Sequence, residues 1–212
     1  VIGAWIGITP GGAIAASFMG YNLAKRFSKD PESFGKGRIE GVFAPETAAH
    51  ASGTAAHVIS VPAENGFRFP LAGVLNAVTP ATRLICIANP NSPTGQAVRR
   101  EDLLRTVEAA PHAAVLVDEA YFHFHGETVL DLVGRMPNVI VARTFSKAYG
   151  LAGLRLGALC AAEEPMQWMR RAISPYSVNS VARACLGAAL DDEDYLRWYV
   201  EEVLASRAEF QA

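Results

Sequence analysis

The sequence predicts an α/β fold in which helices cover both faces of a mostly parallel sheet. The main signal is a series of short apolar runs that lack polar alternation, as is typical of strands covered on both faces. Helical patterns separate several of these runs, and strands that alternate with helices favour a parallel sheet. The runs lie at residues 41–44, 57–61, 83–88, 113–117, 138–142 and 155–160.

The clearest helical pattern is REDLLRTVEAA at residues 100–110, which has acidic residues in its first turn and Pro111 after its end. Acidic side chains favour a helix N-terminus, and proline marks a helix stop. Residues 12–27 also predict a helix, because apolar residues recur there at helical spacing.

The C-terminal part has a helical pattern throughout, from Val178 onwards. We therefore assign residues 1–190 to a large domain and residues 191–212 to a helix that leads towards a small domain. The chain starts at Val1 without a methionine and stops at Ala212 inside a charged helical pattern. These ends predict a large domain that is truncated at both ends.

Composition and charge narrow the functional class. Apolar residues make up 50% of the 212 residues, enough for a substantial core. The formal net charge is -2 with both signs interspersed, which argues against nucleic acid or an anionic membrane as the main partner. No segment approaches the roughly 18 uninterrupted apolar residues of a membrane helix. We therefore expect a small-molecule ligand.

Neither the cysteines nor the histidines predict a metal site. Cys86, Cys160 and Cys185 lie far apart and lack the Cys-x-x-Cys spacing of zinc or redox motifs. We interpret them as reduced, buried thiols of a cytoplasmic protein. His123 and His125 alternate, but no third ligand follows at a telling spacing.

Lys147 is the first candidate catalytic residue. It follows the predicted strand at 138–142 and the polar turn RTFS, so it lies near the carboxyl end of a buried strand, where open α/β sheets bind ligands. We expect this amine to be partly desolvated at that position. Desolvation lowers the pKa of a lysine and leaves more of the free amine, which is the form that condenses with an aldehyde. An ordinary surface lysine is the alternative interpretation.

Polar residues close to Lys147 suit a phosphate. The Arg155 guanidinium can bind a phosphate bidentately, and Thr144 and Ser146 place hydroxyl donors on the same turn.

Asp118 directly follows the predicted strand at 113–117, where an acid either caps a helix or serves a ligand. Tyr121 comes three residues later and is otherwise interpreted as a core aromatic residue. A turn rich in proline and asparagine, ANPNSPTG at residues 88–95, follows the strand before it.

Three segments, in this order, resemble the pyridoxal-phosphate-dependent aminotransferases of fold type I, and most of all the histidinol-phosphate aminotransferases. They are ANPNSPTG at 88–95, VLVDEAYFHF at 115–124 and TFSKAYGLAGLRLG at 144–157. The resemblance implies a three-layer α/β/α large domain with a mostly parallel, mixed sheet of seven strands. It also implies pyridoxal 5'-phosphate as the cofactor.

The resemblance assigns catalytic roles to three residues. Lys147 would hold the cofactor aldehyde as a Schiff base and then move a proton. Asp118 would pair with the pyridinium nitrogen and keep it protonated. Tyr121 would donate a hydrogen bond to the phenolic oxygen of the cofactor.

An asparagine of the ANPNSPTG turn would contact the same oxygen. Many relatives carry asparagine directly before PTG, whereas this chain has Ser92 there. Asn89 and Asn91 are therefore both candidates for the contact.

The first sixty residues resemble the family less closely. Gly11, Gly12 and Ala13 lie at the N-terminus of a predicted helix, which favours a phosphate, and the equivalent loop of the family holds the cofactor phosphate. Residues 38–57 are similar instead to pyridoxal-phosphate decarboxylases and the sphingosine-phosphate lyase group. In those enzymes a histidine stacks on the cofactor ring, and His50 is its counterpart or a helix-surface histidine.

The resemblance implies amino transfer from L-histidinol phosphate, a small-molecule amino donor, to the 2-oxo acid 2-oxoglutarate. One alternative is a decarboxylase similar to the threonine-phosphate decarboxylases. Another is a catalytically incomplete cofactor-binding fragment. The resemblance also implies a homodimer for the full-length protein.

Overall fold

The computed structural model describes residues 59–172 and 178–211. Contacts divide the chain into two units, Val1–Ser60 and Val61–Ala212, and the described helices and strands belong to the second unit. The predicted domain boundary at residue 190 stays a prediction.

Four strands form one mixed sheet in the described residues. In spatial order they are β1 (Leu84–Ala88), β2 (Ala114–Asp118), β3 (Val139–Thr144) and β4 (Gly157–Ala161). The first three strands are parallel, and β4 pairs antiparallel with β3. The predicted α/β class with a mostly parallel, mixed sheet is confirmed.

The strand predictions at 83–88, 113–117, 138–142 and 155–160 are confirmed, each to within a few residues. The prediction at 41–44 lies outside the described residues. The prediction at 57–61 is wrong in its described part, because residues 59–61 are irregular. Pro62 follows directly, and proline has no N–H to donate to a neighbouring strand.

One helix precedes β1, two lie in connections between strands, and three follow β4. Their bounds are α1 (Leu71–Ala77), α2 (Arg100–Ala109), α3 (Phe122–His125), α4 (Glu163–Ala172), α5 (Ser180–Asp191) and α6 (Glu193–Gln211). Helix α2 has Glu101 and Asp102 in its first turn and ends before Pro111, as predicted. The helix predicted at 12–27 lies outside the described residues.

The C-terminal helical pattern is broken at Asp192, between α5 and α6, rather than continuous. Both helices begin at a side-chain cap. The Asn179 side-chain oxygen accepts a hydrogen bond from Ala182 N at 2.7 Å, and an Asp192 carboxylate oxygen accepts one from Tyr195 N at 3.1 Å. Such caps satisfy the free N–H groups of a first turn and favour a new helix start.

The core lies between one face of the sheet and α2. Leu103 and Val107 of α2 pack there against valines from the two central strands that have no exposed surface, namely Val115, Val117, Val139 and Val141. Because side chains alternate along a strand, these valines share one face.

The interpretation of the cysteines as buried thiols is wrong for two of the three. Cys86 and Cys185 are exposed, Cys160 is half-buried, and all three are free. Cys86 lies between Ile85 and Ile87 in β1, so it points away from the face that carries buried Ile87. The uniform apolar pattern of the run gives no indication of this difference.

We expect Leu103→Ala to lower the free energy of unfolding by about 2 to 5 kcal/mol, because truncation of a buried leucine leaves a cavity. Leu103 is 1% exposed and Leu84 is 55% exposed, so Leu84→Ala is a matched control. Its effect should stay within about 0.5 kcal/mol. Urea unfolding followed by tryptophan fluorescence measures both, and equal losses would contradict this account of the core.

Candidate active site

The parallel pairing of β2 with β3 brings the candidate residues to one edge of the sheet. Asp118 is the last residue of β2 and lies opposite Ala142 of β3 in the register. Thr144 is the last residue of β3, and Lys147 follows three residues later. The carboxyl edge of parallel strands is the usual ligand-binding edge of such sheets.

Lys147 and Tyr121 lie side by side at this edge. The Lys147 Nζ atom is 5.1 Å from the centroid of the Tyr121 ring. Hydrogen bonds from Lys147 and Ser92, together with the lysine charge, lower the pKa of Tyr121. The hydroxyl and the amine predicted to act on one cofactor are therefore in contact.

Lys147 is exposed, so the partial desolvation predicted for it is not found in the structure. It lies in the turn beyond β3 rather than within the strand, which leaves its amine open to solvent. Lys147 is also the only lysine of the sequence after Lys36.

Asp118 is exposed as well, at the end of a strand that is otherwise largely buried. Its Oδ1 atom accepts a hydrogen bond from Ala120 N at 3.0 Å. The interpretation of Asp118 as a helix cap is wrong, because the next helix, α3, has Tyr121 at its N-cap and no side-chain cap hydrogen bond. The carboxylate closes a local turn with one oxygen and has a second oxygen for a ligand.

The two candidate asparagines have different surroundings. Asn89 is 2% exposed, and its Oδ1 atom accepts a hydrogen bond from Val98 N at 2.9 Å, which closes the turn after β1. Asn91 is half-buried, and its Nδ2 atom donates to Thr94 Oγ1 at 2.8 Å. Exposed Ser92 contacts the Tyr121 hydroxyl instead. Which asparagine contacts a cofactor stays a prediction.

An open cavity of about 300 Å³ lies beside these residues. Its lining includes Tyr121, Asn91, Ser92, Phe124 and Arg207. A ligand held at the sheet edge therefore has room next to Tyr121.

The candidate phosphate-binding residues lie at the end of β3 and in the segment between β3 and β4. Thr144 Oγ1 accepts a hydrogen bond from Ser146 N at 3.1 Å, so both belong to the turn that carries Lys147. The antiparallel pairing places Thr144 opposite Gly157, two residues after Arg155. Arg155 is exposed and donates to Ala152 O at 3.0 Å. The β3–β4 pairing thus brings the two ends of the segment from Thr144 to Gly157 together.

Four predicted site residues lie outside the described residues. They are Gly11, Gly12, Ala13 and His50. Among the residues that are described, no group of three or more histidine, cysteine, aspartate or glutamate side chains could hold a metal ion. His123 packs edge to face against Tyr149, with 5.3 Å between ring centroids. Burial is the main cause that lowers the pKa of His123, and the nearby Arg143 charge lowers it further.

A cluster that the sequence analysis missed lies directly behind the site. We call Glu119, Thr128 and Arg143 the ion-pair cluster. Arg143 Nη2 lies 2.7 Å from a Glu119 carboxylate oxygen, and the Thr128 hydroxyl donates to the same carboxylate at 2.7 Å. The signal available in the sequence was a charged residue at the end of each of two apolar strands, because buried charges need partners.

Comparison with known proteins extends this picture. Residues 46–212, well over half of the chain, match the family model described as aminotransferase class I and II. The chain belongs to the aminotransferase class I and II family. Within this family match lie all the described residues of the candidate site.

Residues 1–64 match a second family model, which is described as the tripartite tricarboxylate transporter TctA family. Gly11, Gly12 and Ala13 fall within this second match and before the start of the aminotransferase match, and His50 falls within both. The cofactor roles of these four residues stay predictions. In the described ranges, no helix is both long and apolar enough to cross a membrane.

Individual curated relatives support the family assignment. The chain is 40% identical over 164 residues to histidinol-phosphate aminotransferase 2 of Methylococcus capsulatus, a match that covers 72% of this chain and 44% of the relative. It is also 40% identical over 152 residues to an aromatic amino acid aminotransferase of Rhodococcus erythropolis, covering 70% and 42%. The chain thus spans less than half the length of these relatives.

The fold of this aminotransferase-family chain resembles that of solved structures. The histidinol-phosphate aminotransferase of Sinorhizobium meliloti, solved in complex with pyridoxal-5'-phosphate, superposes with a TM-score of 0.68 at 29% identity. The superposition covers 82% of this chain and 47% of that structure. The predicted fold type I is confirmed by this likeness and the family match.

We expect Lys147→Ala to raise the pKa of Tyr121 towards that of an ordinary tyrosine. The substitution removes the hydrogen bond and the positive charge that favour the phenolate. Titration of tyrosinate absorbance without cofactor measures the shift, and Tyr121→Phe identifies the signal by removing it. Identical titrations of the wild type and Lys147→Ala would show that the two side chains are not in contact.

Proposed function

We propose that this chain binds pyridoxal 5'-phosphate and catalyses amino transfer from L-histidinol phosphate to 2-oxoglutarate. The observation that carries the proposal is the contact between Lys147 and Tyr121 at the carboxyl edge of β2 and β3, where Asp118 ends its strand. A primary amine, a phenol and a carboxylate are the three groups that such a cofactor needs around its ring.

The donor set fits this cofactor. The aldehyde requires a primary amine, and Lys147 is the only lysine of the described residues. The ring nitrogen requires a carboxylate, and Asp118 is exposed at the same edge. Within residues 59–172 and 178–211, neither Asp118 nor Lys147 takes part in an ion pair, so both charges are available to a ligand.

The cofactor, when bound, supplies an electron sink for the substrate carbon. Lys147 Nζ would hold the cofactor through its aldehyde group and would accept and return the proton of the substrate carbon. The Asp118 carboxylate would keep a proton on the ring nitrogen, and the Tyr121 hydroxyl would donate to the phenolic oxygen. Asn91 or Asn89 would add an amide donor there.

The phosphate group would lie against residues at the end of β3 and between β3 and β4. Thr144 and Ser146 would supply hydroxyl donors, and the Arg155 guanidinium would supply charge. The cofactor roles of Gly11, Gly12, Ala13 and His50 stay predictions, because these residues lie outside the described residues.

The choice of substrate is supported by the names of the relatives. Histidinol-phosphate aminotransferase of Methylococcus capsulatus and aromatic amino acid aminotransferase of Rhodococcus erythropolis are equally similar to this chain, so an aromatic amino acid is the second candidate donor. The decarboxylase alternative is based on the likeness of threonine-phosphate decarboxylases to histidinol-phosphate aminotransferases, and the His50 region adds only slight support. The incomplete-fragment alternative is kept because the match covers 44% of the relative.

The cellular context belongs to the same proposal. We infer a cytoplasmic protein, on the support of three free cysteines. A homodimer of the full-length protein follows only from the family resemblance.

We expect cofactor, reduced with borohydride in the complex, to be attached to the peptide that contains Lys147. This outcome is expected because, among the described residues, Lys147 is the only lysine and it lies at the sheet edge. Lys147→Ala should abolish the attachment, whereas Lys36→Ala, the matched control, should leave it unchanged. Mass spectrometry of the digested chain checks both. Attachment only at other lysines would contradict the proposal.

We expect the wild-type chain to form glutamate from 2-oxoglutarate faster with L-histidinol phosphate than with phenylalanine. Asp118→Asn should lower kcat by about 100-fold or more, because loss of a preorganised charge at the reacting ring typically has an effect of that size. A glutamate assay measures both. A preference for phenylalanine would favour the aromatic donor, and carbon dioxide release without a 2-oxo acid product would favour decarboxylation. Attachment without turnover would favour an incomplete fragment.

A further inference from the structure

We propose that Glu119 and Arg143 are positioning residues for the candidate site. Their buried ion pair fixes the ends of β2 and β3 so that Asp118 and Lys147 face one ligand. This inference rests on the proposed function, because it concerns how the same site is held in shape.

The register of the two strands places the pair directly behind the site. Asp118 lies opposite Ala142, so Glu119 and Arg143 are the next residues along each strand. Glu119 N donates to Ala142 O at 2.9 Å, which continues the pairing by one step. Neighbouring side chains of an extended chain point to opposite sides, and accordingly Asp118 is exposed while Glu119 is 1% exposed.

The Glu119 carboxylate is held by several donors at once. Its Oε1 atom accepts from Val129 N at 2.8 Å, and its Oε2 atom accepts from Arg143 Nε at 2.8 Å and from the Thr128 hydroxyl at 2.7 Å. Arg143 Nη2 also donates to Thr128 Oγ1 at 2.9 Å. Charge-assisted hydrogen bonds from an arginine fork are strong and directional, so the carboxylate has one orientation.

The Arg143 side chain extends the same support to Tyr121. The Arg143 Cζ atom lies 3.6 Å from the centroid of the Phe122 ring, and Phe122 follows Tyr121 in the chain. The pair therefore involves Glu119, which follows Asp118, and contacts Phe122, which follows Tyr121. Arg143 itself belongs to β3, the strand that leads to Lys147. Such a cation over an aromatic face is attractive, and burial increases the attraction.

The ion pair contributes more to the relative placement of the two strands than to the free energy of unfolding. Removal of two charges from water costs about as much as their attraction returns, so a buried ion pair often adds little net stability compared with apolar residues. The pair does require one relative placement of its two strands, because any shift leaves a buried charge with poor hydrogen bonds. We infer that this requirement sets the spacing between Asp118 and Lys147.

The experiment compares Glu119→Gln and Arg143→Lys with Asp131→Asn as the control. Asp131 pairs with Arg100 at 2.6 Å on the same loop as Thr128, but both partners are substantially exposed. The readouts are the rate of cofactor attachment at Lys147 under borohydride, the pKa of Tyr121 without cofactor, and urea unfolding. A double variant, Glu119→Gln with Arg143→Met, removes both charges and so avoids an unpaired buried charge if a single variant does not fold.

We expect Glu119→Gln and the double variant to slow attachment at Lys147 about 10-fold to 100-fold, because small displacements of reacting groups have effects of this size. They should also raise the pKa of Tyr121, since the hydrogen bond from Lys147 weakens. Arg143→Lys should show a smaller change, and Asp131→Asn should show none.

Wild-type attachment rates and wild-type Tyr121 titration in folded Glu119→Gln and in the double variant would overturn the proposal, whatever the loss in urea stability. Failure of the wild-type chain to attach cofactor at Lys147 would instead refute the proposed function. In that case the cofactor-free titration of Tyr121 still decides whether the pair positions the site.

Discussion

The parallel pairing of β2 with β3 is the constraint on which the candidate site depends. It places the last residues of two neighbouring strands at one edge, so that groups distant in sequence meet there. A slip of one residue would exchange the faces of the strands and turn Glu119 towards solvent in place of Asp118. The buried valines on the core face oppose such a slip, because they would become exposed. Core packing and site geometry are thus two results of one register.

The strands could be predicted from the sequence because each is a short apolar run between polar or turn-forming residues. The helix break and the exposed cysteine could not be predicted, because they depend on individual side-chain contacts and on which face of a strand is covered. The helical pattern continues across Asp192, and the break depends on a side-chain cap that composition does not reveal. A run without alternation also does not indicate which face is covered, so the exposure of Cys86 was missed.

The placement of Asp118, Tyr121 and Lys147 at one edge of the sheet could be predicted because each follows a predicted strand, and their cofactor roles stay predictions. The ion-pair cluster could not, because Glu119 and Arg143 are 24 residues apart and meet only through the sheet. Arg143 belongs to a stretch that was interpreted as a polar turn. The surroundings of Asn89 were also hidden, since its partner Val98 is nine residues away and beyond a turn.

Arg155 has a left-handed backbone conformation, with φ of 55° and ψ of 46°. For residues other than glycine this conformation is unfavourable by roughly 1 to 2 kcal/mol, and glycine adopts it without a steric penalty. A requirement for stability alone would therefore favour glycine at this turn before β4. If Arg155 binds a phosphate as proposed, its guanidinium is obtained at the cost of backbone strain, a compromise between stability and activity.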